Sequence, residues 1–392
     1  MTEVLLLVGI LVAVFVGYNI GGATTGPAFG PAVGAKVITK LFAAALMSVF
    51  FFLGAITIGP QVVDTLGTEL VTDTAVFTMR SNVAVLFFIG GALFLGNYAG
   101  VPASTSMTAV GAISALGLAT GELNWAILGR IVAWWIVAPV VGFWVSGVIG
   151  RYFYPRLNAW IAIEQDPDRE DPMVTVTTNG GIPTIATSDD LGRRKTIGAA
   201  VVVVIGCLMA FSSGTSNIAN AIAPIYGTGD VDMVTLILIG SAAVAVGAFT
   251  IARRTLDTLG NDITNLPLTA AIVVAVVSSA IVITLSWLGI PASFVIIATM
   301  SIVGLGWGRA TRTTTLPGAA RGEETTVSVG SLTAEEEGET PPEIGEESVE
   351  DIPRGSDLFD PSTTARVILM QNVVPVVSTV GAFLTFRFVP LF

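Results

Sequence analysis

The sequence contains no histidine, a single cysteine and three lysines, and only 12% of its 392 residues are charged. Without imidazole there is no His metal ligand, no Ser-His relay and no His proton shuttle. The one thiol, Cys207, excludes an intramolecular disulfide and a CxxC-type metal site, and inside an apolar run it reads as a small core residue. No paired carboxylates and no nucleophile beside a base fall within an apolar segment, so the chain is not expected to be an enzyme. The lysines are Lys36, Lys40 and Lys195, against a net charge of −11. Acidic, lysine-poor surfaces hold water in salt-adapted proteomes, which points to a halophile; acidic tails in ordinary organisms are the alternative. No nucleic-acid partner is expected from such a balance.

What the chain has in abundance is apolar residues, 53% of the total. Soluble proteins carry charge on about a quarter of their residues, so this is a polytopic membrane protein in a lipid bilayer. Runs long enough to cross fall near 4–19, 37–59, 83–99, 102–120, 125–149, 197–211, 233–252, 266–288, 291–308 and 367–389. The expected fold is all-α, with about 10–12 membrane segments once half-helices are allowed for. The first run lacks a basic leader and its following residues recur later, so it is read as part of the mature fold.

Two polar stretches divide the chain. Residues 151–196 form a linker that includes Asp166-Pro167-Asp168-Arg169-Glu170-Asp171-Pro172, and residues 309–365 form an acidic loop with Glu335-Glu336-Glu337. The loop cannot bury enough apolar surface to offset its chain entropy, so disorder is expected there. The remaining units are a first membrane repeat over 1–150, a second over 197–308, and a final helix over 366–392. Lys36 and Lys40, the Arg151 to Lys195 cluster, Arg253-Arg254, and Arg309 with Arg312 all fall on one side if the N-terminus is outside. By the positive-inside rule both polar stretches are then cytoplasmic in the cell membrane, and the halves have opposite orientation. Re-entrant hairpins at Pro102 and Pro291 would alter that count. Residues 60–82 are expected to form an external connection with an interfacial helix.

The halves share motifs in the same order. Gly17-Tyr18-Asn19-Ile20-Gly21-Gly22-Ala23-Thr24-Thr25-Gly26-Pro27 follows the apolar run 4–16, and Phe211-Ser212-Ser213-Gly214-Thr215-Ser216-Asn217-Ile218-Ala219-Asn220-Ala221-Ile222-Ala223-Pro224 follows 197–210. Each reads as a broken membrane helix around a binding site, or as close packing of helices through small residues. Further on, Gly100-Val101-Pro102-Ala103-Ser104 recurs as Gly289-Ile290-Pro291-Ala292-Ser293. Two ordered repeats imply a duplication, the build of many secondary transporters. Proline beside Ser104, Thr105 and Ser106 is the composition of a helix N-terminus, where free N–H groups and hydroxyls can hold an oxyanion without a basic side chain. Asn19, Ser216, Asn217 and Asn220 offer neutral oxygens suited to Na⁺. For any single hydroxyl, a back-bond to the carbonyl one turn earlier is the plainer reading.

Through these motifs both membrane halves resemble the inorganic phosphate transporter (PiT) family, whose signature is Gly-x-Asn-Asp-x-x-Asn in each half followed by Gly-x-Pro-x-Ser-Thr-Thr-His. The resemblance implies an inverted repeat of broken helices and hairpins, with cation-coupled uptake of phosphate and, in some relatives, sulfate. The departures are Ile20 and Asn217 at the aspartates, Ala23 and Ser216 at asparagines, Met107 at the histidine, and Phe294-Val295-Ile296 where hydroxyls belong. The expectation is a secondary active phosphate transporter, Na⁺-coupled because no intramembrane carboxylate can relay protons. It needs no other cofactor and could form a homo-oligomer. Its anion is expected on Ser104, Thr105, Ser106, Ser213, Thr215, Ser216, Asn217 and Ser293. Sulfate or another oxyanion is the alternative, since both signature carboxylates that could accept phosphate's proton are gone. A passive anion channel is the rival from another class.

Overall fold

The structure is a computed structural model that describes residues 2–34, 36–98, 104–161, 174–179, 182–187, 193–251, 268–310 and 361–389. The expectations for the acidic loop beyond residue 310, for Arg253-Arg254 and for Gly100-Val101-Pro102-Ala103 lie outside the described residues. The first half contains α1 (Thr2–Gly34), α2 (Lys40–Thr57), α3 (Gly59–Asp64), α4 (Met79–Tyr98), α5 (Thr105–Thr120) and α6 (Trp125–Val148). A π-helical turn, Ile149–Phe153, carries α6 into α7 (Tyr154–Ile161), and an antiparallel hairpin of β1 (Val174–Asn179) and β2 (Ile182–Thr187) follows in the linker. The second half contains α8 (Arg193–Tyr226), α9 (Met233–Thr250), α10 (Leu268–Trp287), α11 (Phe294–Ala310) and α12 (Pro361–Phe388). Seven described helices are long and apolar enough to cross a bilayer, while α5 and α11 are shorter apolar helices.

The signature stretches do not break their helices. α1 is continuous for 33 residues with Pro27 and Pro31 inside it, and α8 for 34 residues with Pro224 inside it. The close-packing reading holds instead. A Cβ added at Gly21 would overlap the Val244 carbonyl of α9, and one at Gly247 of α9 would overlap the Tyr18 carbonyl of α1. The second pair is built the same way: Gly54 of α2 lies against the Phe211 carbonyl, and Gly214 of α8 against the Phe51 carbonyl. Backbones approach so closely only where neither side carries a Cβ, which is how small residues drive helix association in lipid. The halves therefore interleave, each crossing having a counterpart in the other half.

The helices do stop on either side of the proline motifs, α4 at Tyr98 before α5 at Thr105 and α10 at Trp287 before α11 at Phe294, and the two pairs form opposed hairpins. α4 begins beside Ser81, whose hydroxyl donates to Val76 O at 2.6 Å, and α5 ends at Gly121 (φ 84), beside the Val71–Leu123 bridge. Both outer ends of this hairpin thus lie at the end of the molecule where α6 starts. The outer ends of α10 and α11 lie at the other: Ala270, Val273 and Leu305 pack with Tyr154, and the Arg309 guanidinium sits 4.1 Å above the Tyr154 ring. Each hairpin returns to the side it entered, so 102–120 and 291–308 are not independent crossings. Fold symmetry is then that of an inverted repeat, with the two hairpin tips meeting inside the protein.

Charge follows the same polarity. The end that holds the 34–40 turn and the 148–161 segment carries Lys36, Lys40, Arg151, Arg156 and Arg309. The other carries Asp64, Glu69, Asp73, Glu122, Asp230 and Asp232 together with two basic residues, Arg80 at the start of α4 and Arg130, which pairs with Glu69 at 3.6 Å.

Candidate functional site

The two tips converge on the middle of α8. Ser104 caps α5, its Oγ accepting from Met107 N at 3.3 Å. Next to it, Thr105 Oγ1 donates to Asn217 Oδ1 at 2.7 Å. Ser213 and Asn217 are four residues apart and so share a face of α8; Asn217 Nδ2 donates to Ser213 Oγ at 2.9 Å, and Asn220 Nδ2 donates to Asn217 Oδ1 at 3.2 Å. The second tip is tied by its backbone. Ala292 O accepts from Ser106 Oγ and Ser216 Oγ, both at 3.0 Å, Ala292 N donates to Ser216 Oγ at 3.1 Å, and Trp135 Nε1 donates to Pro291 O at 2.8 Å. These bonds fix Ser293, whose hydroxyl is buried without a partner.

Between these groups and α1 lies a small, partly open cavity. Its polar wall is Thr24, Ser104, Thr105, Ser213, Asn217 and Ser293; its apolar wall is Ala23, Pro27, Ala28, Met209, Phe294 and Val295. Among the described residues, no charged side chain lines it. The N-terminal ends of α5 and α11 both border it, so two positive dipole ends adjoin a space lined by hydroxyls and an amide. Such a space can hold an anion without any cation.

The expected site residues separate into groups. Ser104, Thr105, Ser213, Asn217 and Ser293 line the cavity. Ser106 and Ser216 lie behind it, holding Ala292, and Thr215 bonds to Ser212 O at 2.7 Å and Ser286 Oγ at 3.0 Å. Asn19 is not part of this network. Its Nδ2 donates to Phe15 O at 2.8 Å, and its Oδ1 and backbone carbonyl accept from Asn97 on α4. The four residues expected to hold Na⁺ therefore do not share one hydrogen-bonded cluster. Asn217 and Asn220 do, and Asn220 Oδ1 is buried with no partner. Sequence reasoning passed over Thr24, Met209, Trp135 and Asn97. Thr24 lay in plain view inside the first motif, whereas nothing local distinguishes Trp135 from other tryptophans of an apolar helix.

Replacing Ser104 and Thr105 together by alanine is expected to weaken anion binding while leaving the protein folded. Ser104 loses a cavity-lining hydroxyl, which costs about 1–3 kcal/mol for the anion oxygen left without its partner, and Thr105 loses the bond that holds Asn217 in place. Half-saturation concentrations in uptake assays read this directly, and unchanged values would move the site elsewhere.

Comparison with known proteins gives consistent matches. The sequence pattern of the phosphate transporter family matches residues 20–333. Sulfate permease CysP of Bacillus subtilis (strain 168) is 30% identical over 273 residues, covering 69% of this chain and 68% of that protein. A candidate phosphate permease of Chlamydia trachomatis serovar D is 25% identical over 352 residues, covering 69% and 82%. A solved structure, that of the sodium-dependent phosphate transporter, superposes with a TM-score of 0.68 at 16% identity over 99% of this chain and 100% of that one. At that identity the likeness shows a shared fold.

Proposed function

This chain belongs to the phosphate transporter family, and from that premise we propose that it is a secondary active transporter of a tetrahedral inorganic oxyanion, its cavity fitting sulfate better than phosphate. The observation that carries this is the absence of any carboxylate among the described residues of the cavity lining. Sulfate at neutral pH has no proton and only accepts hydrogen bonds; phosphate keeps at least one proton and gains from a carboxylate that accepts it. A wall of hydroxyls and amide N–H groups meets the first requirement and leaves the second unmet. The relative named a sulfate permease supports the same reading. Phosphate is the second reading, favoured by the family match and by the relatives described as phosphate permeases.

Radiolabelled sulfate and phosphate uptake into proteoliposomes tests it. Saturable sulfate uptake with substrate-driven counterflow is the expected result. Phosphate uptake that a large excess of sulfate leaves untouched would reverse the assignment, and flux without counterflow would make the protein a channel.

Coupling to Na⁺ is part of the proposal. The buried, unpartnered Asn220 Oδ1 beside Asn217 suits a hard cation, and the described cavity lining contains no acidic or basic side chain. Uptake should therefore follow an imposed Na⁺ gradient. Uptake driven by a pH gradient in sodium-free medium would contradict it. The basic end of the molecule is assigned to the cytoplasm by the positive-inside rule.

A further inference from the structure

We propose that the same cavity admits short alkanesulfonates, anions in which sulfur bears three oxygens and one apolar substituent; this rests on the oxyanion-transport reading above. The first ground is the distribution of hydroxyl protons on the polar wall. Thr24 Oγ1 donates to Ile20 O at 2.8 Å and Thr105 Oγ1 donates to Asn217 Oδ1, so those protons are committed. Ser104 Oγ and Ser213 Oγ each accept a bond, from Met107 N and Asn217 Nδ2, and each keeps its own proton to give. Ser293 Oγ, in a residue only 7% exposed, has no partner of any kind. A hydroxyl buried in that state is costly unless something accepts from it. Three hydroxyls with a proton to give therefore belong to residues of the cavity lining, from the start of α5, the middle of α8 and the residue before α11, and three donors suit the three oxygens of an XO₃ group.

The second ground is the rest of the lining. Met209, Phe294, Val295 and Pro27 border the same space and offer no side-chain donor. When three oxygens occupy the hydroxyls, the fourth substituent is left to this apolar part of the lining. In sulfate it is a further charged oxygen stripped of water; in methanesulfonate it is a methyl group, which gains from the same contact.

The full chain in proteoliposomes is to be loaded separately with labelled methanesulfonate, sulfate and phosphate. Saturable accumulation of methanesulfonate is expected, with inhibition of sulfate uptake at concentrations within about tenfold of sulfate's own half-saturation value. Val295→Thr, nearly the same shape but polar, should weaken methanesulfonate relative to sulfate by about tenfold; Ser293→Ala should weaken both. If Val295→Thr does not assemble, uptake by the unaltered chain decides. Sulfate or phosphate uptake with no accumulation of methanesulfonate, and no inhibition by its large excess, overturns this inference alone. Methanesulfonate uptake without either inorganic anion would overturn the inorganic-oxyanion reading and leave this one standing.

Discussion

Asn217→Asp is expected to suppress sulfate transport by two to three orders of magnitude and to turn the protein toward phosphate. Asn217 lines the cavity and is the junction of its network, accepting from Thr105 and Asn220 and donating to Ser213. An aspartate keeps the two accepted bonds, but its second oxygen cannot donate. Ser213 must then turn its proton to the carboxylate, which removes one donor from the anion. The larger effect is charge: two unit charges 4 Å apart repel by about 4 kcal/mol at an effective dielectric constant of 20, nearly three decades in binding. Sulfate has no proton with which to turn that repulsion into a hydrogen bond, whereas phosphate does. Parallel uptake curves for both anions in both proteins measure the exchange. An unaltered sulfate-to-phosphate ratio would show that the missing carboxylate does not set specificity.

Gly214→Val should do the most damage to assembly. A Cβ there overlaps the Phe51 carbonyl and comes within 3.0 Å of Ala55 N, both backbone atoms of α2 that no side-chain rotation can move away. Overpacking of a tight core costs about 1–3 kcal/mol and can cost more when only backbone can yield. Because Ser213 and Asn217 flank the crossing, any shift of α8 also displaces the cavity wall. Loss of thermal stability in detergent and loss of uptake are expected together. Gly129→Ala is the control, since nothing lies within 4 Å of its added Cβ, and it should hold or slightly gain stability. Equal behaviour of the two variants would refute the close-crossing account.

Membrane class, duplication and the placement of hydroxyls at helix starts were readable from the residues alone, because each is a local property. Apolar run length reports a crossing, order of motifs reports duplication, and proline before Ser104 reports a helix start. The clustering of basic residues at one end also follows from their sequence positions once the helices are counted. The meaning of the glycines was not readable. Gly21 and Gly214 could equally dissolve a helix or admit another backbone, and composition is the same in both cases; only the carbonyls of Val244 and Phe51, from distant helices, decide for packing.

The fate of each hydroxyl was hidden for the same reason. Ser104, Ser213 and Ser293 face the cavity, whereas Ser106 and Ser216, their neighbours in the motifs, are consumed by the Ala292 backbone, and Asn19 bonds with Asn97 instead of joining the cavity network. A hydroxyl donates only one proton, so whether it serves a ligand depends on which acceptor comes nearest in space. That acceptor can stand 186 residues away along the chain, as Ala292 does from Ser106. Local pattern therefore selected the stretches that build the site, and the meeting of the two hairpin tips on α8 selected the atoms.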